Sequence, residues 1–134
     1  MTEKTLHRAV CDYLKYQYPD VIFSTDLSGA TKLTVGQAVA LKNLRSGRAF
    51  PDLQIMEPRN GYHALFIELK KEGTNLFKKR LMDAAGYPLW ASDHLREQHE
   101  MLEKLTAKGY RAEFAIGWDE AKKIIDNYLK PKSK

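Results

Sequence analysis

Two short segments carry the residue types of a phosphate-cutting centre. Phe50-Pro51-Asp52-Leu53 opens one apolar run, and Phe66-Ile67-Glu68-Leu69-Lys70 lies inside another. Side chains alternate along a strand, so Leu65, Ile67 and Leu69 share one face while Phe66, Glu68 and Lys70 share the other. A strand this apolar is expected to be buried, where a carboxylate and an ammonium are costly unless paired or used. Between the segments stands Pro58-Arg59-Asn60-Gly61, and Asn-Gly is a strong hairpin signal. A turn centred there pairs residues whose numbers sum to about 120 or 121. Asp52 then falls opposite Glu68 or Leu69; the even sum puts it on the face of Glu68, the odd sum does not, and the sequence leaves that register open. Two carboxylates and a lysine a few ångströms apart suit a hard cation such as Mg²⁺, which activates a water and neutralises charge gathering on phosphorus. The lysine can orient that water or stabilise the developing charge. The plainer alternative makes Asp52 a turn residue and Glu68–Lys70 a surface pair on an edge strand. Glu-x-Lys alone occurs often by chance; Pro-Asp, strand, hairpin and Glu-x-Lys in succession is more specific.

Two further residues lie on apolar helical faces. Glu3 precedes Leu6 by three and Val10 by seven, so it shares their inward face and could reach a metal. On residue physics alone a first-turn glutamate is better explained by the helix dipole. Gln98 stands among Leu95, Leu102 and Leu105, where an amide needs hydrogen-bond partners, at the stripe's edge or beside a site. Other chemistries lack their residues. His7, His63, His94 and His99 have no zinc spacing, and there is neither a phosphate-binding glycine loop nor a nucleophile elbow. Tyr13, Tyr16, Tyr18 and Phe23 read as packing residues rather than as a base-stacking platform.

The elements that must hold these residues can be read from periodicity. Residues 3–18 form an amphipathic helix through Leu6, Ala9, Val10, Tyr13 and Leu14, with Thr2 as N-cap and Pro19 as stop. Residues 21–26 read as a strand, 34–45 as a helix through Val35, Ala38, Val39 and Leu44, and 53–57 and 64–70 as the hairpin strands. Residues 71–92, with Gly73, Gly86 and Pro88, read as irregular, a loop or a short helix around Leu76–Met82. A helix over 93–108 closes at Gly109, 111–117 is a last strand, 119–129 a last helix, and 130–134 a frayed basic tail. The order implies a mixed α/β domain with a central sheet flanked by helices.

The bulk numbers agree. The chain has 134 residues, the size of one domain, with 43% hydrophobic and 29% charged residues. The single cysteine, Cys11, excludes an internal disulfide, fits a reducing compartment and is expected to be a buried structural thiol. No apolar run approaches a membrane span or a signal peptide, so a cytoplasmic location is expected. The net charge of +5 favours a polyanionic partner. Lys32, Lys42, Arg45 and Arg48 lie in a stretch without acids between Asp26 and Asp52, a candidate phosphate contact. Lys78, Lys79 and Arg80 form a second, weaker candidate.

Together these residues resemble the virus-type replication-repair nuclease (VRR-NUC) domain of the PD-(D/E)xK superfamily. The resemblance spans nearly the whole chain: Glu3 on the first helix, Ser28-Gly29, Pro51-Asp52-Leu53, Glu68-Leu69-Lys70, Gln98 and the Gly109-Tyr110 step. It implies a restriction-endonuclease-like core over 1–134. It also implies a metal shell of Glu3, Asp52, Glu68 and the Leu69 carbonyl holding Mg²⁺ or Mn²⁺, with Lys70 as catalytic lysine and Gln98 as a site residue. The implied activity is DNA endonuclease cleavage, selective for branched DNA such as Holliday junctions or flaps, by a homodimer in a bacterial or phage-infected cell. Ala49 stands where members commonly have glycine, His7 where many have glutamine, and Asp26 where a neutral residue is usual. A non-catalytic nucleic-acid-binding module is the alternative, and a structural protein with incidental charge the third. The acid pair argues against the binding module, because two acids repel phosphate unless a cation is present; salt-dependent DNA binding would separate the structural protein, since phosphate contacts weaken as salt rises.

Overall fold

A computed structural model describes residues 1–26 and 32–130; the Ser28-Gly29 step and the tail from Pro131 fall outside them. The elements are α1 (Glu3–Gln17), β1 (Phe23–Thr25), α2 (Val35–Asn43), β2 (Leu53–Ile55), β3 (Leu65–Lys70), β4 (Phe77–Met82), β5 (Pro88–Trp90), α3 (Asp93–Ala107), β6 (Arg111–Ile116) and α4 (Trp118–Leu129). A four-stranded sheet runs β1-β2-β3-β6, antiparallel except for the parallel β3/β6 pair. It is the mixed, helix-flanked sheet that the sequence implies.

One face of that sheet makes the core. Leu53, Ile55, Leu65, Ile67 and Leu69 pack with Leu6, Val10 and Leu14 of α1 and with Ile125, Tyr128 and Leu129 of α4. α1 starts where expected because the Thr2 hydroxyl accepts the Thr5 N–H. The Asp126 carboxylate ties its C-terminal end to α4, accepting the Tyr13 and Tyr18 hydroxyls at 2.6 Å each. α3 covers the other sheet face, with Leu95, Gln98 and Leu102 buried. The turn after α3 requires glycine. Gly109 has φ 94, a Cβ there would meet the His63 ring at 2.7 Å, and its carbonyl accepts the His63 N–H at 2.9 Å.

Two expectations need correction. Residues 71–92 are not an irregular loop or a short helix around Leu76–Met82; they contain the β4–β5 hairpin, a separate two-stranded sheet. β4 is exposed along its whole length, so no alternation of apolar residues announces it. It is a strand because it pairs with β5 and because Phe77 stacks on Trp90 with ring centroids 4.5 Å apart. The Asp83 carboxylate shapes the turn by accepting the Ala85 and Tyr87 N–H groups. α2 forms where the periodicity places a helix. Its capping box of Thr34 and Gln37 forms, but Val35, Val39 and Leu44 are exposed rather than packed. The second correction is Cys11, which is half-buried rather than buried; burial raises its thiol pKa.

Candidate active site

The β2/β3 register pairs Leu53 with Ile67 and Ile55 with Leu65, which is the even sum. Continued by one residue, it sets Asp52 against Glu68 on the face away from the apolar core. The two acids clasp each other's backbone. The Glu68 Oε2 accepts the Asp52 N–H at 3.1 Å, and the Asp52 Oδ2 accepts the Leu69 N–H at 3.2 Å. Such reciprocal bonds fix both carboxylates without engaging all their lone pairs. One step further, Pro51 falls opposite Leu69. Proline has no N–H, so β2 offers no backbone donor to the Leu69 carbonyl at this point.

Glu68 is held from three sides. Its Oε1 accepts the Gln98 amide at 2.7 Å and lies 3.5 Å from the Lys70 ammonium. Its side chain is only 4% exposed and that of Lys70 14%. Burial first, and then the adjacent Asp52 carboxylate, push the Glu68 carboxyl up to about 9, against the pull of Lys70. A cation among these oxygens would reverse that balance. Gln98 answers the question raised by its place on an apolar stripe: its amide N–H₂ serves Glu68, while its Oε1 is buried with no partner among the described residues.

The N-terminal end of α1 closes the group. Glu3, His7 and Asp52 each bring a donor atom, all within 4.8 Å of one another. His7 is buried; its Nε2 stands 3.5 Å from the Asp52 Oδ2 and its Nδ1 3.4 Å from the Thr25 hydroxyl. Carboxylate oxygens with one imidazole are a donor set that fits a divalent cation.

These side chains line a cleft of about 590 Å³. Asp52, Glu68, Lys70 and Gln98 face it together with Glu3 and His7. Lys42, Arg45 and Arg48 line it too, from α2 and the segment after it, so a basic wall stands over an acidic floor. Lys32 is exposed and is not among the lining residues. Arg45 is paired with Asp26, whose N–H donates to the Asp52 carbonyl at 2.7 Å. Asp26 is thus built into the edge of the site. His7 and His94, which have no zinc spacing in the sequence, line the cleft, and so do Asp26 and Glu97. The spacing of Glu3 and His7, four residues apart on one helix face, was the available signal for His7.

No family model matches the sequence, and no curated protein matches it either. A solved structure described as "VRR_NUC domain protein" does match. It superposes with a TM-score of 0.65 at 24% identity, over 97% of this chain and 89% of that one. The chain therefore has the fold of a VRR_NUC domain protein. No helix among the described residues is long and apolar enough to cross a membrane.

Proposed function

We propose that this chain, acting as one domain over 1–134, is a metal-dependent DNA endonuclease. The observation that carries the reading is the clasp between Asp52 and Glu68, with Lys70 at 3.5 Å, on the floor of a cleft with a basic wall. A binding module has no use for two acids forced together where phosphate must lie. The structural match to a VRR_NUC domain protein supports the reading at the level of fold.

Glu3, Asp52, Glu68 and the Leu69 carbonyl would hold Mg²⁺ or Mn²⁺. The bound ion supplies Lewis acidity toward a phosphate oxygen and lowers the pKa of a water. The chain's own residues do the rest. Lys70 sits at the end of β3 beside Glu68, where its ammonium can hydrogen-bond the attacking water and the phosphate. Water oxygen bonds to phosphorus and gives up a proton to solvent, the bond to the leaving sugar oxygen breaks, and that oxygen takes up a proton from solvent. Gln98 holds Glu68 in the rotamer that faces the cleft. Lys42, Arg45 and Arg48 neutralise the flanking phosphates, and Lys32 extends that contact outward. Selectivity for branched DNA, a homodimer that places two sites for paired cuts, and a cytoplasmic setting complete the proposal.

The test is incubation with labelled four-way junction, flap and plain duplex DNA, with Mg²⁺, Mn²⁺ or EDTA. Metal-dependent cutting lost in Lys70→Ala is the expected result. Salt-sensitive binding with no cutting under any metal would replace the endonuclease by a binding module.

A further inference from the structure

We infer that His7 adds its Nε2 as a nitrogen ligand to the cation of this site, and that the site therefore prefers Mn²⁺ to Mg²⁺. The inference rests on the metal-dependent reading and goes beyond its all-oxygen shell. Three observations carry it. His7 is 2% exposed and sits one helical turn after Glu3 on the inward face of α1. Its Nδ1 lies 3.4 Å from the Thr25 hydroxyl, which can accept the ring N–H. In the tautomer that donates Nδ1–H to that hydroxyl, the Nε2 lone pair is free, the usual way a ligating imidazole is oriented. The Nε2 then points at the Asp52 Oδ2, 3.5 Å away, with a Glu3 oxygen in the same 4.8 Å group.

A lone pair facing two carboxylates is repulsive unless something positive lies between them. A proton would make His7 and Asp52 a plain ion pair. That use leaves the Glu3 carboxylate only its place at the positive end of the helix dipole, whereas a divalent cation uses all three donors. Mg²⁺ keeps its waters and takes oxygen ligands. Mn²⁺, the weakest binder of the first-row transition series, still gains more from a nitrogen ligand than Mg²⁺ does. The glutamine that the family resemblance expects here would offer only a neutral amide oxygen.

The test uses Mn²⁺ and Mg²⁺ alone, with the intact protein and no DNA. Calorimetry gives the two affinities, and pulsed electron paramagnetic resonance of the Mn²⁺ complex reads coupling to ¹⁴N. Wild type should show imidazole coupling. His7→Gln should lose it and lower the preference for Mn²⁺ on the order of tenfold. His94 also lines the cleft, so His94→Gln should keep the coupling; its loss there would overturn the assignment even if His7→Gln fails to fold. Mn²⁺ bound without nitrogen coupling in wild type would overturn the role of His7 and leave the nuclease reading standing. No binding of either ion would overturn both.

Discussion

β3 and β4 are strands of six residues each, separated only by residues 71–76, and they are opposites. β3 is buried at every position but its last, between α1 and α4 on one face and α3 on the other. β4 is exposed at every position and pairs with β5 alone. Each carries charge, but to different ends. Glu68 and Lys70 are desolvated and individually met by Gln98, Asp52 and each other. Lys78, Lys79 and Arg80 stand in water. Burial makes a charge expensive and directional; exposure makes it cheap, mobile and weak. The same chain thus carries a buried, individually partnered pair of charges on one strand and, after the intervening residues 71–76, an exposed ribbon whose charges stand in water.

The sharpest way to break this contrast is Glu68→Gln. The amide removes the charge and keeps the size; its oxygen can keep the Gln98 contact, and its N–H₂ then replaces the acceptor of the Asp52 N–H. DNA cleavage should fall by about 10³-fold, the scale of losing one aimed electrostatic contact. Metal-free stability should move the other way. The Glu68 carboxyl is raised from 4.5 to about 9 on folding, so its contribution is complete below the unfolded value and is lost as pH rises toward about 9. Thermal melts in EDTA should show the wild type losing stability across that window, Glu68→Gln flat through it, and Mn²⁺ or Mg²⁺ restoring the wild type. A wild-type melt that does not fall with pH would mean that Glu68 is not the desolvated group described.

The hairpin should break by a different kind of change. Two strands alone are marginal in water, and this pair is rooted by Trp90, whose ring lies 4.5 Å from Phe77, 4.6 Å from His99 and 6.0 Å from Phe114. Trp90→Ala should cost about 3 kcal/mol. Hydrogen exchange should show β4 and β5 amides unprotected while β3 amides remain the slowest in the protein. Equal loss in both strands would show that the hairpin belongs to the core's cooperative unit.

The same contrast explains what was legible in the sequence. β3 announces itself because burial demands apolar residues on both faces, and Glu68 and Lys70 stand out against them. α1, α3 and α4 show their stripes for the same reason. β4 has no core to face, so Phe77-Lys78-Lys79-Arg80-Leu81-Met82 carries no period, and only the pairing with β5 makes it a strand. α2 is a helix as its periodicity implies, but its burial was not legible. Its apolar residues suggest a packed stripe, yet Val35 and Val39 are exposed and Ala38 and Leu41 line the cleft instead. Within the site, the hairpin signal gave the convergence of Asp52 and Glu68 up to one residue of register, which only pairing geometry decides. His7 makes no pair with another histidine, and its neighbours Glu3, Thr25 and Asp52 come from α1, β1 and the residue before β2, which only the fold brings together.

The basic residues should grade in the same way. If phosphate lies in the cleft, Arg48→Ala should lower the slope of log affinity against log salt by about 1. The pair Lys78→Ala and Lys79→Ala should together lower it by less, because those side chains stand away from the cleft lining. A larger effect from the ribbon would make it the main grip on DNA and reverse the ranking of the two clusters.

The smallest effect concerns backbone rather than side chains. Ala49, just before β2, has φ 61, and Arg80, within β4, has φ 59; each is a side-chain-bearing residue in the left-handed region. Glycine at either position relieves roughly 1 kcal/mol of strain, or about fivefold in an opening equilibrium. The two gains should appear in different amides. Ala49→Gly stabilises the segment leading into the Asp52 strand, so it should slow exchange only where exchange needs global unfolding, as in β3. Hairpin amides, which open locally, should not notice it. Arg80→Gly stabilises the ribbon itself and should slow β4 amides by that same factor. If Ala49→Gly slowed the hairpin amides equally, the ribbon would have no local opening of its own, and the division between a rigid site and an independent ribbon would fall.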